Sequence, residues 1–506
     1  SRGLGDVYKR QGIDIGTTAT KGVLYDLDGQ TIMIVSQSYP LIQKELGQAE
    51  EDPQVIFNAV QKIIFKLAKE VQGKIAAISW SSQMHSLIGL GKNNQVLTNS
   101  ITWADNRCTT VVEEAKETDL AQKIYQKTGM PLHPMAPIYK LIWLKQSNPD
   151  LFHLVQKWIG IKEYIIYRLT GKIVTDTTMA AGTGMLNLKT LDWDQDLLKA
   201  AEIDAAKLPS LADPATVVGE ICAKYVHNLG ISSDAKIVLG ASDGYLSTVG
   251  VNVVDENHFA LNVGTSGAVR TIVKNSQIDQ DARYFCYPAS KQQFLLGGPV
   301  NNGGIVLDWA RRTLLDEKAT VEDFLQLAKN APVGSKGLIF LPYLGGERAP
   351  IWDAKARGSF VGLTRQHTKA EMAQAVIEGI IFNLYDAATG LIESTKKPAA
   401  INATGGFLQS DFIRQMCADI FDVPIVTMKE QQSGTLAAMF LARQVLGLNK
   451  KIDEIGQFVE NDKVYYPHKK EVAAYQKMFP LYREIENDLA TSYQKLSSFQ
   501  KMHSKN

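Results

Sequence analysis

Ile13-Asp14-Ile15 runs into Gly16-Thr17-Thr18, and Val23-Leu24-Tyr25 leaves on the far side. Short apolar runs flanking a tight glycine-threonine turn predict a strand–turn–strand unit. Asp28-Gly29 turns the chain again before residues 31–36, and Asp-Gly between apolar runs is a strong hairpin cue. A helix is expected next, with Asp52 as its cap and Pro53 at its first position. Val55, Ile56, Ala59, Val60, Ile63, Ile64, Leu67, Ala68 and Val71 would form its apolar face, and residues 74–79 return as a buried strand. Such alternation predicts an α/β domain with mixed sheet pairing.

About 250 residues later the pattern restarts. Residues 259–263 enter Gly264-Thr265-Ser266-Gly267 and residues 269–273 leave it. Two copies of strand, Gly-Thr-(Ser/Thr) turn, strand point to one duplicated fold whose turns face a shared cleft. Thr368 and Glu371 form a capping box before an apolar helix, and residues 401–404 run as a strand into Gly405-Gly406. At roughly 100–200 residues per domain, 506 residues are too many for one core. We divide the chain at residues 1–250 and 251–506, with a helical tail from about 448 covering the second domain. Residues 1–11 set Lys9-Arg10-Gln11 where a buried strand should begin. They read as a scar of cloning or sequence assembly and are left outside the expected fold.

Composition narrows the function. Lys plus Arg is 54 and Asp plus Glu 53, a net charge of +1, so no basic field draws in a nucleic acid. Mean hydropathy is −0.11 and no unbroken apolar span of about 20 residues occurs, which argues against a membrane-crossing helix. Four scattered cysteines without Cys-x-x-Cys, and no apolar signal segment, suit a reducing cytoplasm. Walker A, Gly-x-Gly-x-x-Gly after the first strand, and His-Glu-x-x-His are all absent, which disfavours P-loop enzymes, dinucleotide oxidoreductases and zincins.

Small residues at a hairpin tip let backbone N–H groups and hydroxyls approach anionic oxygens, so each Gly-Thr turn is a candidate phosphate cradle or simply a decorated β-turn. Asp14, just ahead of Gly16-Thr17-Thr18, is placed to orient a hydrated magnesium ion, with Lys21 nearby. Residues 236–239 form a strand ending in Gly240-Ala241-Ser242-Asp243-Gly244. As Gly-x-Ser-x-Gly this would be a hydrolase nucleophile elbow with Ser242 attacking. Alternatively Asp243 accepts a hydroxyl proton during phosphoryl transfer, or the segment is a plain strand-end turn. Ser-Trp-Ser-Ser-Gln-Met-His-Ser (79–86) and Thr-Trp-Ala-Asp-Asn-Arg (102–107) also gather polar groups beside tryptophan. Trp80 or Trp103 could wall a sugar while His85, Asp105 and Arg107 bind hydroxyls or a carboxylate, or each could be structural.

From residue 12 to about residue 448 the chain resembles the FGGY family of carbohydrate kinases. One family signature is matched by Gly358-Ser359-Phe360-Val361-Gly362-Leu363, Glu371-Met372 and Ala375-Val376-Ile377-Glu378. The other is matched by Met135-Ala136-Pro137-Ile138-Tyr139-Lys140-Leu141-Ile142-Trp143-Leu144, departing at Ser147. The resemblance implies two duplicated actin/Hsp70-like (ribonuclease H-like) domains around a central cleft, ATP and magnesium as cofactors, and Asp243 as catalytic base. It further implies phosphate binding by Gly16, Thr17, Thr18, Lys21, Gly264, Thr265 and Ser266, and metal orientation by Asp14. Gly405 and Gly406 would meet adenosine, with Gly304 and Asp308 along the nucleotide. Gln83, Met84, His85, Trp103, Asp105 and Arg107 would line the sugar pocket, with Arg107 the candidate for a substrate carboxylate.

Within the family the gluconate kinases are most similar, on Gln83-Met84-His85-Ser86, residues 102–107, Gly-Pro-Val-Asn-Asn-Gly-Gly (298–304) and Gly-Glu-Arg-Ala-Pro (346–350). Met84-His85 disfavours glycerol; xylulokinases share it, so D-xylulose is the rival acceptor. The implied partners are a small sugar acid and ATP, with no nucleic acid or membrane, and a homodimer stays open. A serine hydrolase and a non-catalytic actin-fold binding module are the competing classes.

Overall fold

Two hairpins anchor two sheets. The computed structural model describes residues 9–26, 28–429 and 432–503, the side chain of residue 501 excepted. In the first sheet, β1 (Lys9–Ile15), β2 (Ala19–Tyr25) and β3 (Thr31–Ser38) form an antiparallel meander. β4 (Ile75–Ser82) lies parallel to β1, with Asp14 opposite Ser81. β5 (Val217–Gly219) and β6 (Lys236–Val238) extend that edge, and β7 (Ala241–Ser242) pairs β4 beyond β6. The order is β5-β6-β4-β1-β2-β3.

The second sheet repeats this plan. β8 (His258–Val263) and β9 (Gly267–Val273) are the hairpin, and β10 (Phe285–Ser290) and β11 (Gln293–Val300) continue it antiparallel. β12 (Ala400–Thr404) and β13 (Ile425–Met428) add on in parallel, and β14 (Asn461–Tyr465) closes the edge antiparallel. Strands β1, β2, β3, β4 and β6 therefore match β8, β9, β11, β12 and β13 in neighbour and direction. The duplication expected from the two turns is present in the sheets.

Helices cover the faces. α1 (Pro53–Glu70) is capped by Asp52, which accepts from the N–H groups of Gln54 and Val55. It buries Ile56, Ala59, Val60, Ile63, Ile64, Leu67 and Ala68 as expected; Val55, in its first turn, stays exposed. Each large apolar side chain so buried is worth about 1.5–3 kcal/mol. Further on come α2 (Pro137–Ser147), α3 (Asp243–Val249), α4 (Gly304–Leu314), α5 (Lys369–Ser394), α6 (Ser433–Val445) and α7 (Lys469–His503). The capping box of Thr368 and Glu371 opens α5. α5 is long and apolar enough to cross a membrane by length and composition alone, but 83% of its most apolar window is buried inside the protein. It is the core helix of the second sheet. The tail forms α7, and also β14, which the sequence did not announce.

α6 crosses between the halves. It lies on β1, β4 and α3, covering the first sheet although it comes from the second half of the chain. Two glycines permit that approach: a Cβ on Gly12 would stand 2.2 Å from the carbonyl oxygen of Thr435, and one on Gly250 1.9 Å from that of Ser433.

The start of the fold differs from expectation. Lys9, Arg10 and Gln11 belong to β1, with Arg10 paired to Tyr25 and Gln11 to Leu24, because backbone pairing is indifferent to the side chains carried. Those side chains fit poorly. Among the described residues, Gln11 is completely buried with its amide unpartnered, and Arg10 is buried with Nε and Nη1 unpartnered. Residues 1–8 lie outside the described residues.

Candidate active site

The strand ends of both sheets open on one cavity of about 310 Å³, whose walls include Asp14, Lys21, Asp243, Ser266, Arg270 and Gly434. Asp14 leaves β1 one residue before its end and accepts a hydrogen bond from Ser81 Oγ at 2.6 Å. Burial pushes its carboxyl above the usual range, against the pull of Ser81 and Lys21. The turn is held from behind: Gly16 N–H donates to the Ala19 carbonyl, and Tyr39 Oη donates to the Gly16 carbonyl. Thr17 faces the acceptor side, donating to Gln83 Oε1 at 2.8 Å and accepting from Trp103 Nε1 at 2.9 Å. Thr18 is exposed. Lys21 Nζ donates to Gln432 Oε1 at 3.1 Å, joining the first hairpin to the start of α6.

Asp243 is the first residue of α3 and projects into the cavity from the end of β7. Its Oδ1 accepts from Gly244 N–H at 2.7 Å. Desolvation between the walls, then the charge of Asp14, push its carboxyl up to about 6. Beneath it, buried Lys162 pairs with buried Asp176 and reaches the carbonyls of Leu239 and Gly240, while Asp176 holds Thr178, whose hydroxyl accepts from Ser242 N–H. This chain fixes the strand end that presents Asp243. Ser242 is completely buried and caps α3 through Tyr245 N–H, and among the described residues no histidine bonds its hydroxyl. A nucleophile elbow exposes its serine; Ser242 is a helix cap instead.

On the acceptor side the predicted residues divide. Gln83 is oriented by Glu51, whose two oxygens accept from its Nε2 at 3.0 and 2.8 Å. Glu51 is completely buried, which pushes its carboxyl up to about 8. His85 adopts a left-handed backbone, φ 65°, and its Nδ1 meets the Gly182 carbonyl at 2.7 Å. Burial pushes the ring down to about 3, so it is neutral near pH 7. A carbonyl only accepts, so Nδ1 carries the proton and Nε2 is left as an acceptor. Met84 is buried and would touch a Cβ on Gly182. Trp103 stands half-buried with the Arg348 guanidinium 5.2 Å from its ring centre.

Three readings need correction. Trp80 is completely buried in the core beneath α1 and offers no wall to a sugar. Asp105 is buried and accepts from Ala49 N–H and from Arg107. Arg107 is committed to Asp105, Glu45 and Glu50, and lies over Trp143 at 4.8 Å. Each of its three nitrogens already donates to a carboxylate, and the three together outweigh its single positive charge, so a further carboxylate would be repelled. The Asp105–Arg107 pair braces the loop behind Trp103. Lys140, from the signature helix α2, braces it too: its buried ammonium donates to the carbonyls of His85 and Thr102 at 2.8 and 2.6 Å.

At the second hairpin, whose Ser266 and Gly267 line the cavity, three loops converge just outside its lining. Gly264 N–H closes its own turn onto the Ser266 carbonyl, and Thr265 is exposed at the tip. Gly304 and Ile305 at the start of α4 donate to the carbonyls of Gly264 and Thr265, so these N–H groups hold the turn. Gly405, φ 105°, packs on β8, where a Cβ would meet the Val263 carbonyl at 2.3 Å. A Cβ on Gly304 would come within 3.9 Å of Phe407, just past Gly406. Asp308 lies one turn further along α4 with its carboxylate tied to Arg311 and Arg312.

Sequence reasoning missed four contributors: the 432–435 segment, Lys162, Arg270 and Arg348. Ser433-Gly434-Thr435, a third small-residue turn opening an apolar helix, was the available signal for the first. Among the described residues no three His, Cys, Asp or Glu side chains converge as a metal cage. Asp14 and Asp243 do face one cavity, and the charge of Asp14 raises Asp243. Two carboxylates plus substrate phosphates and water suit magnesium.

Family models cover most of the chain: the N-terminal domain of the FGGY family of carbohydrate kinases matches residues 10–250 and the C-terminal domain residues 259–444. The gluconokinase of Bacillus subtilis (strain 168) is 38% identical over 506 residues, covering 97% of this chain and 98% of the relative. The xylulose kinase of the same organism is 30% identical, covering 97% and 99%. Two crystal structures from Lactobacillus acidophilus are each 68% identical over 97% of this chain. One, described as gluconate kinase, has a TM-score of 0.96 and is covered to 99%; the other, described as ligand-bound xylulose kinase, has 0.95 and is covered to 100%. With two matching sheets, a carboxylate at a strand end and two hairpins bordering one cavity, these likenesses lead to one conclusion: the chain belongs to the FGGY family of carbohydrate kinases.

Proposed function

We propose that the protein transfers the γ-phosphoryl group of ATP to O6 of D-gluconate, giving 6-phospho-D-gluconate and ADP. The observation that carries the phosphotransfer reading is the position of Asp243, projecting into a cavity that both hairpins border. In this reading residues 1–250 supply the acceptor site and the base, and residues 251–506 supply the nucleotide site. The adenosine end lies by Gly405-Gly406, with Gly304 and Asp308 along it, and the phosphates run toward Gly264-Thr265-Ser266 and Gly16-Thr17-Thr18. Lys21 and the start of α6 add positive potential from a second side.

The acceptor lies along Trp103 with Gln83, Met84 and His85 around its hydroxyls, His85 Nε2 accepting one of them. Its O6–H points at Asp243. As O6 bonds to the γ-phosphorus, the bond from that phosphorus to the β–γ bridging oxygen breaks, ADP leaves with the electron pair, and the O6 proton passes to Asp243. In a loose transition state, positioning and charge neutralisation outweigh base strength. Asp14 and Asp243 would hold magnesium, which neutralises phosphate charge when bound. Cytoplasmic ATP makes the cytoplasm the expected location.

Gluconate is favoured over xylulose by the higher identity to a gluconokinase than to a xylulose kinase, 38% against 30%. Xylulose stays the second reading because one of the two 68%-identical structures is described as a xylulose kinase. The test is ADP release from purified protein with ATP, magnesium and single acceptors. Release with D-gluconate well above D-xylulose, glycerol and water supports the assignment; preference for D-xylulose transfers it to the rival.

A further inference from the structure

Two guanidiniums beside the cleft make no salt bridge among the described residues, and each has a buried Nε without a hydrogen-bond partner. Arg270, on β9, lines the cavity with Asp243, and its Nε would lie 3.5 Å from a Cβ on Gly244. It makes no side-chain hydrogen bond, and its Nε is shut off from solvent and protein partners alike. Arg348 lies against the Trp103 ring and gives one hydrogen bond, from Nη2 to the Val300 carbonyl at 3.0 Å; its Nε is likewise buried and unpartnered. The adjacent carboxylate of Glu347 is turned to the N–H groups of Asn301 and Arg348 and the amides of Asn302 and Asn383, so it attracts Arg348 through space without bonding its guanidinium. Burial, opposed by the charge of Glu347 and aided by that of Arg270, pushes Arg348 down to about 10. Taking cations out of water without a partner is costly, and planar guanidinium forks match a carboxylate.

We propose that Arg348, with Arg270 beside it, is the carboxylate clamp of the acceptor site and selects a sugar acid over a neutral ketose or polyol. The assignment rests on the sugar-acid reading above. Position decides the anion. Arg348 stands on the ring of Trp103, whose Nε1 donates to Thr17 beside Gln83, whereas Arg270 shares its cavity with Asp243, Lys21 and Ser266. Arg270 and Arg348 both lie within electrostatic reach of Asp243 and of each other, so one acceptor can meet Asp243 and the guanidiniums together. A neutral acceptor would leave both buried Nε groups without an anionic hydrogen-bond partner. An aldonate, its terminal hydroxyl at Asp243 and its carboxylate at Arg348, supplies the missing charge.

Steady-state kinetics of Arg348→Gln and Arg270→Gln against D-gluconate and D-xylulose, with the KM for ATP measured alongside, tests this. Loss of a charged hydrogen-bond pair raises KM for gluconate by about 10- to 100-fold. ATP KM holds, the xylulose-to-gluconate ratio of kcat/KM rises, and Arg348→Lys recovers part of the loss. If Arg348→Gln does not fold, Arg270→Gln and Arg348→Lys give the same readout. An unchanged gluconate KM in a wild type active on gluconate overturns the clamp and leaves the kinase reading standing. An equal fall in kcat for every acceptor overturns it in favour of neutralising the phosphoryl group. A wild type that turns over no sugar acid overturns both.

Discussion

The ammonium of Lys140 is buried and donates to the backbone carbonyl of His85 at 2.8 Å, with no carboxylate in ion-pairing distance among the described residues. Its second hydrogen bond goes to the Thr102 carbonyl, so one side chain ties together the loops that carry His85 and Trp103. Burial pushes it down to about 8. Lys140→Met keeps the length and removes both donors, leaving two carbonyls without that partner. The expected loss is about 1–3 kcal/mol of stability and a raised acceptor KM with little change in ATP KM. Chemical denaturation and a two-substrate kinetic matrix read the two effects. Equal loss of affinity for ATP would show that Lys140 supports the whole fold, not the acceptor wall.

Asp243 and its neighbour Ser242 separate two chemistries. Asp243→Asn keeps size and removes the proton acceptor, so turnover falls by about 10²–10⁴-fold while ATP still binds. Ser242→Ala removes a helix cap, costing about 0.5–2 kcal/mol with most turnover kept. Single-turnover phosphorylation and nucleotide binding measure both. The opposite ranking would return Ser242 to the chemistry.

The pH profile carries a sign. Asp243 must be ionised to take a proton, and its carboxyl is pushed up to about 6. Activity therefore rises with pH through about 6 and is lost below it. Asp14 raises this value and Arg270 lowers it. Asp14→Asn should move the acid limb of kcat/KM to lower pH, and Arg270→Gln should move it to higher pH, whatever each does to the plateau. Shifts in the same direction would mean that another group titrates.

The two hairpins, α1 with its cap, α5 with its capping box, and Asp243 at a strand end were legible because each is encoded within some 20 neighbouring residues. What was not legible is long-range. Gln432 meets Lys21 across more than 400 positions, and no periodicity announces that α6 will cross onto β1 and β4. Arg107 looked like a binding residue because Asp105 and Trp103 are its neighbours in sequence. Its other partners, Glu45 and Glu50, come from a distant loop and spend its charge. Arg348 sat in a quoted motif without a role, because lack of a partner shows only once the chain is folded. Trp80 was ambiguous for a related reason: a strand buried on both faces gives no alternation to separate core from cleft.

Gln11 offers a test at the edge of the fold. It lies in β1, two residues before Ile13 and four before Ile15, on the sheet face that packs on α1. Its side chain is completely buried with both amide atoms unpartnered. Desolvating an amide without compensation costs about 1–3 kcal/mol, whereas a β-branched apolar side chain suits a buried strand. Gln11→Val keeps the ladder to Leu24 and Ile78, since those bonds are backbone only. It should stabilise the protein by about 1–2 kcal/mol and raise the thermal midpoint, leaving the KM of both substrates unchanged because Gln11 touches no wall of the cleft. An unchanged or lower midpoint would mean that the amide finds a partner in solution, and that this end of β1 is packed differently from the arrangement described.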